Sequence, residues 1–323
     1  MLKRVIVLGL IVLMSGLFFS SGVFAQEKVK VGIVMFSSES GYPVSSEGIL
    51  SGLKKAGFDE TNADFDIRNA KGNNENVTLI ATEFMDKNVN IIMPIGTPAA
   101  IGVYKVNKNI PIVFSNVFDP VSAGIAKSLD NSGTNATGSS TWVEMFNIVK
   151  VLQQICPAKR IGVLYTDTEK QTIAQLESFR KLQDTLGIMV IAANVAKPED
   201  AANAAQSLVN QRVDAVFITG GTAVGKGIPA ILEVINKAKI PTAAHLPDRV
   251  KKGVLLAVSG DAFKIGELAG KKAAQVLKGT KPSEIPIESL TFYDITINAD
   301  TAQTIGLVIP AKLLESAKEI IKK

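Results

Sequence analysis

The sequence of 323 residues predicts an α/β protein with two doubly wound parallel-sheet lobes, which are joined by crossover strands and enclose a cleft. Two observations predict this fold. Short β-branched segments alternate with helical segments, a pattern typical of parallel sheets that are covered by helices on both faces. The pattern also occurs twice, because segments that begin at residues 29, 89 and 109 recur at 159, 213 and 239, at offsets of 130, 124 and 130 residues. The nearly constant offset favours two homologous lobes.

The first half of the chain contains seven predicted elements. A run of β-branched and apolar residues predicts each strand, and apolar residues at helical spacing predict each helix, with Gly57 as one stop signal. The predicted strands cover residues 29–36, 65–69, 90–95 and 110–115. The predicted helices cover residues 45–56, 75–87 and 99–106.

The second half repeats strands at 159–165, 213–220 and near 239–241, and then continues beyond what a second lobe needs. The additional elements are a strand at 253–258, a helix at 262–277 that stops before Gly279, a strand at 290–297 and a terminal helix at 311–321. We therefore expect part of the chain to return to the first lobe. The predicted division is an N-terminal lobe of residues 26–141 plus about 259–289, and a C-terminal lobe of residues 142–258 plus about 290–323.

The first 25 residues have the pattern of a signal peptide. Lys3 and Arg4 precede an apolar run over residues 5–19, and small residues follow it as far as Ala25. This order predicts export and cleavage after Ala25. The alternative is a retained membrane anchor, but the apolar run of about 15 residues is shorter than the roughly 20 that a spanning helix needs.

The composition excludes several classes of function. Hydrophobic residues make up 46% and charged residues 20%, which is typical of a globular and not a disordered chain. The net charge of +5 falls to +3 (5 − 2) without Lys3 and Arg4, which is too small to suggest a nucleic-acid partner. The single cysteine, Cys156, excludes an intrachain disulfide, and the single histidine, His245, excludes a histidine-rich metal site. We expect no metal and no cofactor.

Catalytic motifs are also absent from the sequence. There is no Gly-x-Ser-x-Gly nucleophile elbow and no His-Glu-x-x-His helix. Residues 220–227 match a P-loop as far as Lys226, but Gly227 stands where Mg²⁺ coordination needs Ser or Thr. These observations predict a binding protein and no enzyme. An exported enzyme on an α/β fold is the alternative, and turnover of a bound ligand would reveal it.

Candidate binding residues follow from one rule, that ligands of open parallel sheets bind beyond the carboxyl ends of the strands. Most of the selected residues are small, hydroxylated or aromatic, and the helix starts among them offer amides to an anionic group. The candidates in the first lobe are Phe36, Ser37, Tyr42, Gly96, Thr97, Asn116 and Asp119. The candidates in the first crossover and the second lobe are Trp142, Tyr165, Glu169, Gly220, Gly221, Thr222 and His245.

Two groups of these candidates have structural alternatives. Thr97 and Thr222 stand where helices are expected to start, so each hydroxyl could cap a helix instead of holding a ligand. Aromatic side chains such as Phe36, Trp142 and Tyr165 could stack on a flat ligand or simply pack in the core.

The order of several short motifs resembles the bacterial ABC-transporter substrate-binding family that includes the tryptophan- and tyrosine-binding proteins. The resemblance covers nearly all of the chain after the leader. Its markers are Asn69-Ala70-Lys71-Gly72, Thr97-Pro98-Ala99-Ala100, Ile110-Pro111-Ile112-Val113-Phe114, Asp119-Pro120-Val121-Ser122-Ala123-Gly124, Asn135-Ala136-Thr137-Gly138, Gly162-Val163-Leu164-Tyr165 with Glu169, Ala274-Gln275-Val276-Leu277-Lys278-Gly279, and Gly306-Leu307-Val308-Ile309-Pro310.

The resemblance implies the type I fold of periplasmic binding proteins and delivery of a small ligand to a membrane permease with a cytoplasmic ATPase. It also implies an exported, periplasmic protein, which we expect to be a monomer. One departure concerns specificity. Members commonly carry an Asp-Asn pair where this sequence has Gly221-Thr222, so an aspartate that would hold a ligand ammonium is absent and Glu169 is the remaining acidic candidate.

These observations predict an exported solute-binding protein of an ABC importer, which captures a small ligand, with an aromatic amino acid as the first candidate. In this hypothesis Thr97 and Thr222 bind polar groups from opposite lobes, an aromatic side chain stacks on the ligand, and Glu169 anchors a cation or a hydroxyl. One alternative is a ligand sensor that presents its closed form to a membrane receptor. Another is the binding of a ligand that is not an amino acid.

Overall fold

The computed structural model describes residues 27–39, 41–143 and 145–322. The predicted leader, residues 1–25, lies outside the described residues. The strands are β1 Val29–Met35, β2 Ala63–Asn69, β3 Ile91–Ile95, β4 Ile112–Val117, β5 Ala136–Ser140, β6 Arg160–Tyr165, β7 Met189–Asn194, β8 Ala215–Ile218, β9 Thr242–Ala244, β10 Leu256–Ser259, β11 Glu288–Ser289, β12 Asp294–Asn298 and β13 Glu319–Ile321.

Thirteen α-helices are found among the described residues, together with short 3₁₀ turns at Pro198–Asp200 and Pro282–Glu284. The helices are α1 Tyr42–Lys55, α2 Asn74–Asp86, α3 Thr97–Val106, α4 Met145–Leu152, α5 Lys170–Arg180, α6 Gln183–Leu186, α7 Ala201–Asn210, α8 Thr222–Lys226, α9 Ile228–Lys237, α10 Pro247–Lys251, α11 Ala262–Leu277, α12 Ala299–Thr304 and α13 Ala311–Ser316.

The strands form two separate sheets, one in each lobe. The N-terminal sheet has the order β11-β5-β4-β3-β1-β2, and all of its strand pairs are parallel. The C-terminal sheet has the order β13-β12-β10-β9-β8-β6-β7, and its one antiparallel pair is β10 with β12. This is the predicted architecture of two lobes with predominantly parallel sheets.

Successive residues of the inner strands face opposite cores, which is why these strands are apolar throughout. On β3, Ile91 and Met93 pack towards α1 and α11, whereas Ile92 packs towards α2 and α3. The C-terminal sheet is covered in the same way by α4, α5 and α13 on one face and α7, α8 and α9 on the other. A sheet that is buried on both faces needs apolar residues at both alternating positions, and this requirement produces the continuous runs in the sequence.

Three crossovers connect the lobes: the segment after β5, the segment between β10 and α11, and the segment between β11 and β12. The second crossover returns the chain to the N-terminal lobe, where α11 packs against α1. A Cβ at Gly48 would lie 2.1 Å from the carbonyl oxygen of Phe263, and a Cβ at Gly266 would lie 2.0 Å from that of Ser45. Glycine at these positions therefore allows the two helix backbones to touch.

The predicted terminal helix is wrong in its second half. Helix α13 ends at Ser316, and the last residues form β13, which pairs in parallel with β12. The amide of Lys318 donates to the carbonyl of Ile295 at 2.9 Å, and Ile320 lies opposite Ile297. Strand β12 offers an unpaired edge to these residues, and pairing with it determines their conformation in spite of the helical spacing of the sequence.

The strand predicted at 290–297 begins later than expected, because residues 290–293 belong to the third crossover and β12 starts at Asp294. Helix α12 was not predicted at all. Its signal in the sequence is Asn298, whose side chain accepts a hydrogen bond from the Thr301 amide and caps the helix.

Within the part of the chain that the structure describes, no helix combines the length and the apolar composition that a membrane span requires.

Candidate functional site

A cavity of about 590 Å³ lies between the lobes, at the carboxyl ends of the parallel strands of both sheets. Its position is the one that the strand-end rule predicts. Eight of the fourteen candidate residues line it: Phe36, Ser37, Tyr42, Thr97, Asn116, Gly220, Thr222 and His245. The other six candidates, Gly96, Asp119, Trp142, Tyr165, Glu169 and Gly221, are not part of its lining.

The N-terminal wall is built from the ends of β1, β3 and β4. Gly96 follows β3 with a φ of 98°, and a Cβ on it would lie 2.8 Å from the ring and the hydroxyl of Tyr42. Gly96 therefore makes room for the Tyr42 ring, which itself lines the cavity. Its contribution is to the position of an aromatic side chain, because its own atoms stay behind that ring.

Thr97 and Asn116 are both buried and held by neighbours in this wall. The Thr97 hydroxyl accepts a hydrogen bond from the amide of Phe118 at 3.2 Å. Asn116 lies at an irregularity between β4 and β5, where the strand register shifts, and its φ is 57°. The Ser115 hydroxyl donates to the Asn116 side-chain oxygen at 2.9 Å. A bulge of this kind redirects side chains at the end of a strand, here towards the cleft.

An aromatic contact joins the two lobes in the wall of the cavity, since Phe118 and His245 both line it. The ring of Phe118 lies edge-on to His245 with centroids 5.4 Å apart, and it lies 4.8 Å from the ring of Trp142. Trp142 lines a second, smaller cavity of about 330 Å³ that is formed by the crossovers. The tryptophan thus supports Phe118 from the hinge side, and the structure does not place it against the main cavity.

Three further candidates make local structural contacts. The Asp119 carboxylate accepts hydrogen bonds from the amides of Val121 and Ser122, both at 3.0 Å, so it closes its own turn. Tyr165 is half-buried at the end of β6 and packs against the core under that sheet. Gly221 is the N-cap residue of α8.

Glu169 is engaged with the start of α8. Its two carboxylate oxygens accept from the Thr222 amide at 2.8 and 3.0 Å, and the Gln171 side-chain amide donates to it at 2.5 Å. The carboxylate therefore neutralises a helix N-terminus within the C-terminal lobe. The acidic candidate that the sequence suggested for a ligand cation is occupied by this contact.

His245 follows β9 and is 5% exposed. Burial, and secondarily the positive charge of Arg249, lower the pKa of its imidazole to about 3, so the ring is neutral. The Gly220 amide donates to Gln175 Oε1 at 3.0 Å, which leaves the Gln175 amide nitrogen to donate to His245 Nε2 at 3.4 Å. This network assigns the ring proton to Nδ1, which has no hydrogen-bond partner among the described residues.

Arg249 is the most unusual residue of the lining, and the sequence-based rule missed it. It lies in α10, is 3% exposed, and its Nε and Nη1 atoms have no hydrogen-bond partner within the described part of the chain. A Cβ at Gly225 would lie 2.2 Å from Nη1, so the guanidinium rests on the backbone of α8. The rule considers the first residues after a strand, whereas Arg249 reaches the cavity from the following helix. Its only signal was an arginine shortly after His245.

The charge of the lining is predominantly positive. The charged side chains are Lys71, Lys226, Arg249 and Lys252 on the one hand and Glu39 on the other, which gives +4 − 1 = +3 with the imidazole neutral. The single carboxylate, on Glu39, pairs across the cleft with Lys252 at 3.2 Å. No group of three or more metal-binding side chains (His, Cys, Asp or Glu) that could hold a metal ion is found among the described residues.

The fold and the cleft together define a two-lobed binding protein of the type I periplasmic class. The chain belongs to the family described as ABC transporter substrate binding protein, whose profile matches residues 30–321. It is similar to the Tyrosine-binding protein of Clostridioides difficile (strain R20291), with 28% identity over 285 residues that cover 88% of this chain and 82% of that protein.

Two solved structures of similar sequence are informative. An ABC domain from Streptococcus pneumonia in complex with L-Trp is 27% identical and has a TM-score of 0.82, covering 91% of this chain and 100% of that one. A ligand-free, open structure of a substrate binding protein with adhesive properties from Clostridium difficile is 28% identical, with a TM-score of 0.75 at the same coverage. More distant structures, at 14–15% identity and TM-scores of 0.55–0.59, share the fold alone.

Proposed function

We propose that this protein is the exported solute-binding component of an ABC importer, and that it captures a small molecule by closure of its two lobes. The observation that carries the proposal is the cavity itself, which is lined by polar and aromatic side chains from both lobes. A pocket of this volume is large enough for a ligand of amino-acid size.

Closure about the crossovers is the mechanism by which such a cleft takes up a ligand. A ligand can favour the closed arrangement only through contacts that it makes more strongly there. The wall residues Thr97 and Asn116 in one lobe, and Gly220 and His245 in the other, are the groups that would contact the ligand at the same time.

The relatives suggest the first candidate ligands. One carries tyrosine in its name, and one was solved with L-Trp, so an aromatic ring is a reasonable ligand group for this chain. Phe36 and Tyr42 line the cavity and offer the apolar surface on which such a ring would stack.

The same proposal includes the partners and the site of action. We infer delivery to a membrane permease that is driven by a cytoplasmic ATPase, in the periplasm, after removal of the leader at Ala25. The protein acts as a monomer and returns its ligand chemically unchanged. A receptor-coupled sensor would use the same cleft, and the two roles differ in the partner that recognises the closed form.

Thermal unfolding of residues 26–323 tests the proposal. The protein is unfolded and refolded to remove bound solute, and amino acids, aromatic acids, nucleosides and sugars are added singly. A ligand at 100 times its dissociation constant stabilises the folded state by about 2.7 kcal/mol, which raises Tm by roughly 5–10 °C in a protein of this size. The proposal fails if no small molecule raises Tm, or if the ligand is recovered chemically altered.

The role in import needs a separate measurement in cells. Deletion of the gene should abolish high-affinity uptake of the solute that raises Tm, and the wild-type gene should restore it. If deletion leaves uptake unchanged but abolishes a receptor response, the protein is a ligand sensor and not a component of an importer.

A further inference from the structure

We propose that the solute of this cleft is a small organic acid without an ammonium group, and that its carboxylate pairs with the buried guanidinium of Arg249. The inference rests on the proposed function, because it names the chemical class that the same cleft would select. Two observations support it. The buried guanidinium of Arg249 has nitrogens without a hydrogen-bond partner, and the described lining offers no free carboxylate to an ammonium group.

Arg249 is a buried cation that forms no ion pair with any described residue. An arginine cannot lose its proton in a protein, so it has no neutral form in which to escape the penalty of burial. The N–H groups of a guanidinium lie in one plane, and a carboxylate can accept from two of them through both oxygens. The side chain that lines the cleft is therefore prepared for an anion.

The position of the guanidinium is fixed by the helix beside it. Its terminal atoms lie against Gly225, since a Cβ there would approach Nη1, Nη2 and Cζ to between 2.2 and 2.6 Å. Gly225 and Arg249 both belong to the cavity lining. The charged end of Arg249 is thus at the cavity and not at the outer surface of the lobe.

The imidazole N–H of His245, which also lines the cavity, likewise favours a hydrogen-bond acceptor on the ligand. Nδ1 carries the ring proton, is buried and has no partner among the described residues. A neutral imidazole N–H adds a second hydrogen bond to an oxygen-rich group without adding charge. Together, Arg249 and His245 offer donors only, and this favours an acceptor-rich ligand such as a carboxylate.

An ammonium group would find no acidic partner in the described lining. The carboxylate of Glu39 is paired with Lys252, and that of Glu169 is held by the Thr222 amide outside the lining. Lys71 and Lys226 add positive charge to the cleft. An amino acid would therefore bring a cation into a site of net positive charge, whereas its deaminated counterpart would not.

The aromatic part of the ligand and its carboxylate can be tested separately with matched compounds. Each set contains an amino acid, the acid without the ammonium group and the amine without the carboxylate: tyrosine, hydroxyphenylpropanoate and tyramine; tryptophan, indolepropanoate and tryptamine. Hydroxy and keto acids of the same rings, aliphatic mono- and dicarboxylic acids, sugars and nucleosides complete the panel. Affinities are measured by isothermal titration calorimetry on refolded residues 26–323.

We expect at least one acid to bind at least tenfold more tightly than its amino counterpart, and the amines not to bind. Arg249→Gln should weaken the binding of that acid about 100-fold. Gly225→Ala provides a second variant that keeps the charge but displaces the guanidinium, and it should weaken binding in the same direction. Arg180→Gln is the matched control, because Arg180 is an exposed arginine paired with Glu177 on α5, and it should bind like the wild type.

The outcomes separate the inference from the proposed function. If an amino acid, a sugar or a nucleoside binds more tightly than every acid, and Arg249→Gln leaves that affinity unchanged, the inference is overturned and the solute-binding function stands. If no compound binds, both are overturned. Circular dichroism of each variant verifies that a lost affinity is not a lost fold; if Arg249→Gln does not fold, Gly225→Ala and the matched compounds decide the question.

Discussion

The two walls of the cleft differ in how their buried polar groups are satisfied. In the N-terminal wall, Thr97, Ser115 and Asn116 are buried and each makes a hydrogen bond, Thr97 with the Phe118 amide and Ser115 with Asn116. In the C-terminal lobe, Thr219 Oγ1, His245 Nδ1 and two nitrogens of Arg249 have no hydrogen-bond partner, whereas every buried side-chain polar atom of the described N-terminal lobe has one.

The comparison indicates where the free energy of ligand binding would come from. A hydrogen bond that replaces water contributes modestly, whereas satisfying a buried group without a partner recovers its desolvation penalty of about 1–3 kcal/mol. The N-terminal wall is preorganised and supplies shape. The C-terminal wall holds unsatisfied donors. Under the proposed function, a ligand with matching acceptors would recover that penalty when the lobes close.

Replacement of Arg249 should have the largest effect on the free energy of unfolding. Arg249→Met retains the length of the side chain and removes an unpaired buried charge, so we expect the ligand-free protein to be more stable by roughly 2–3 kcal/mol. Urea unfolding monitored by circular dichroism measures this. A ligand-free variant that is less stable than the wild type would mean that the arginine is already satisfied.

The next effect is a dependence on pH from His245, the single histidine of the chain. Its folded pKa of about 3 is below the ordinary 6.5, so below pH 6.5 the unfolded chain binds a proton that the folded protein does not. Stability should therefore fall with decreasing pH, by about 2 kcal/mol between pH 8 and pH 5, and continue to fall until the pH approaches the folded pKa.

The variant His245→Gln isolates this contribution. Carboxylates with lowered pKa values, such as Asp66 and Glu267, lose their stabilising effect at lower pH and do so equally in both proteins. The difference in unfolding free energy between wild type and variant should thus change across pH 8–5. A constant difference would show that the imidazole binds protons equally in the folded and the unfolded chain, and hence that its pKa is not lowered by folding.

The N-terminal wall should respond in the opposite sense to the removal of a polar group. Thr97→Val keeps the shape but leaves the Phe118 amide, which donates to the Thr97 hydroxyl at 3.2 Å, without its acceptor. We expect a loss of about 1.5 kcal/mol in the unfolding free energy. Thr97→Ser is the control that retains the hydroxyl. Equal stability of Thr97→Val and the wild type would contradict the view of a satisfied wall.

The smallest effect concerns the ion pair that joins the walls at the cleft mouth. Lys252 and Glu39 are 3.2 Å apart, and their side chains are 38% and 59% exposed, so solvent screens the pair. Lys252→Ala should change stability by about 0.5 kcal/mol at most at physiological salt. A loss several times larger would make this pair, and not the buried wall, the main contact that holds the lobes together.

Local patterns predicted most of the fold. Strand β1 and helix α11 were placed by β-branched runs and by helical spacing with a glycine stop, signals that depend on a few neighbouring residues. The end of the chain was predicted wrongly because Glu319–Ile321 is a strand only through its pairing with β12, which a local pattern does not report.

The candidate site was predicted only in part, because local patterns identify strand ends but do not report contacts between distant segments. Strand ends identify Phe36, Thr97 and His245, because the carboxyl ends of parallel strands share one edge of the sheet. The resemblance also implied that Gly221-Thr222 stands where family members carry Asp-Asn, so that an acidic partner for an ammonium group is absent there.

The contacts of the charged side chains were evident from the folded structure and not from local sequence patterns. The fold places the Glu169 carboxylate on the amide of Thr222, 53 residues away, and it buries Arg249 at the cavity against Gly225. Periodicity and composition determined two doubly wound lobes and a cleft, because strands that are buried on both faces of a sheet appear in the sequence as continuous apolar runs. Partners and burial of single charges depend on distances between remote segments, and these distances exist only in the folded chain.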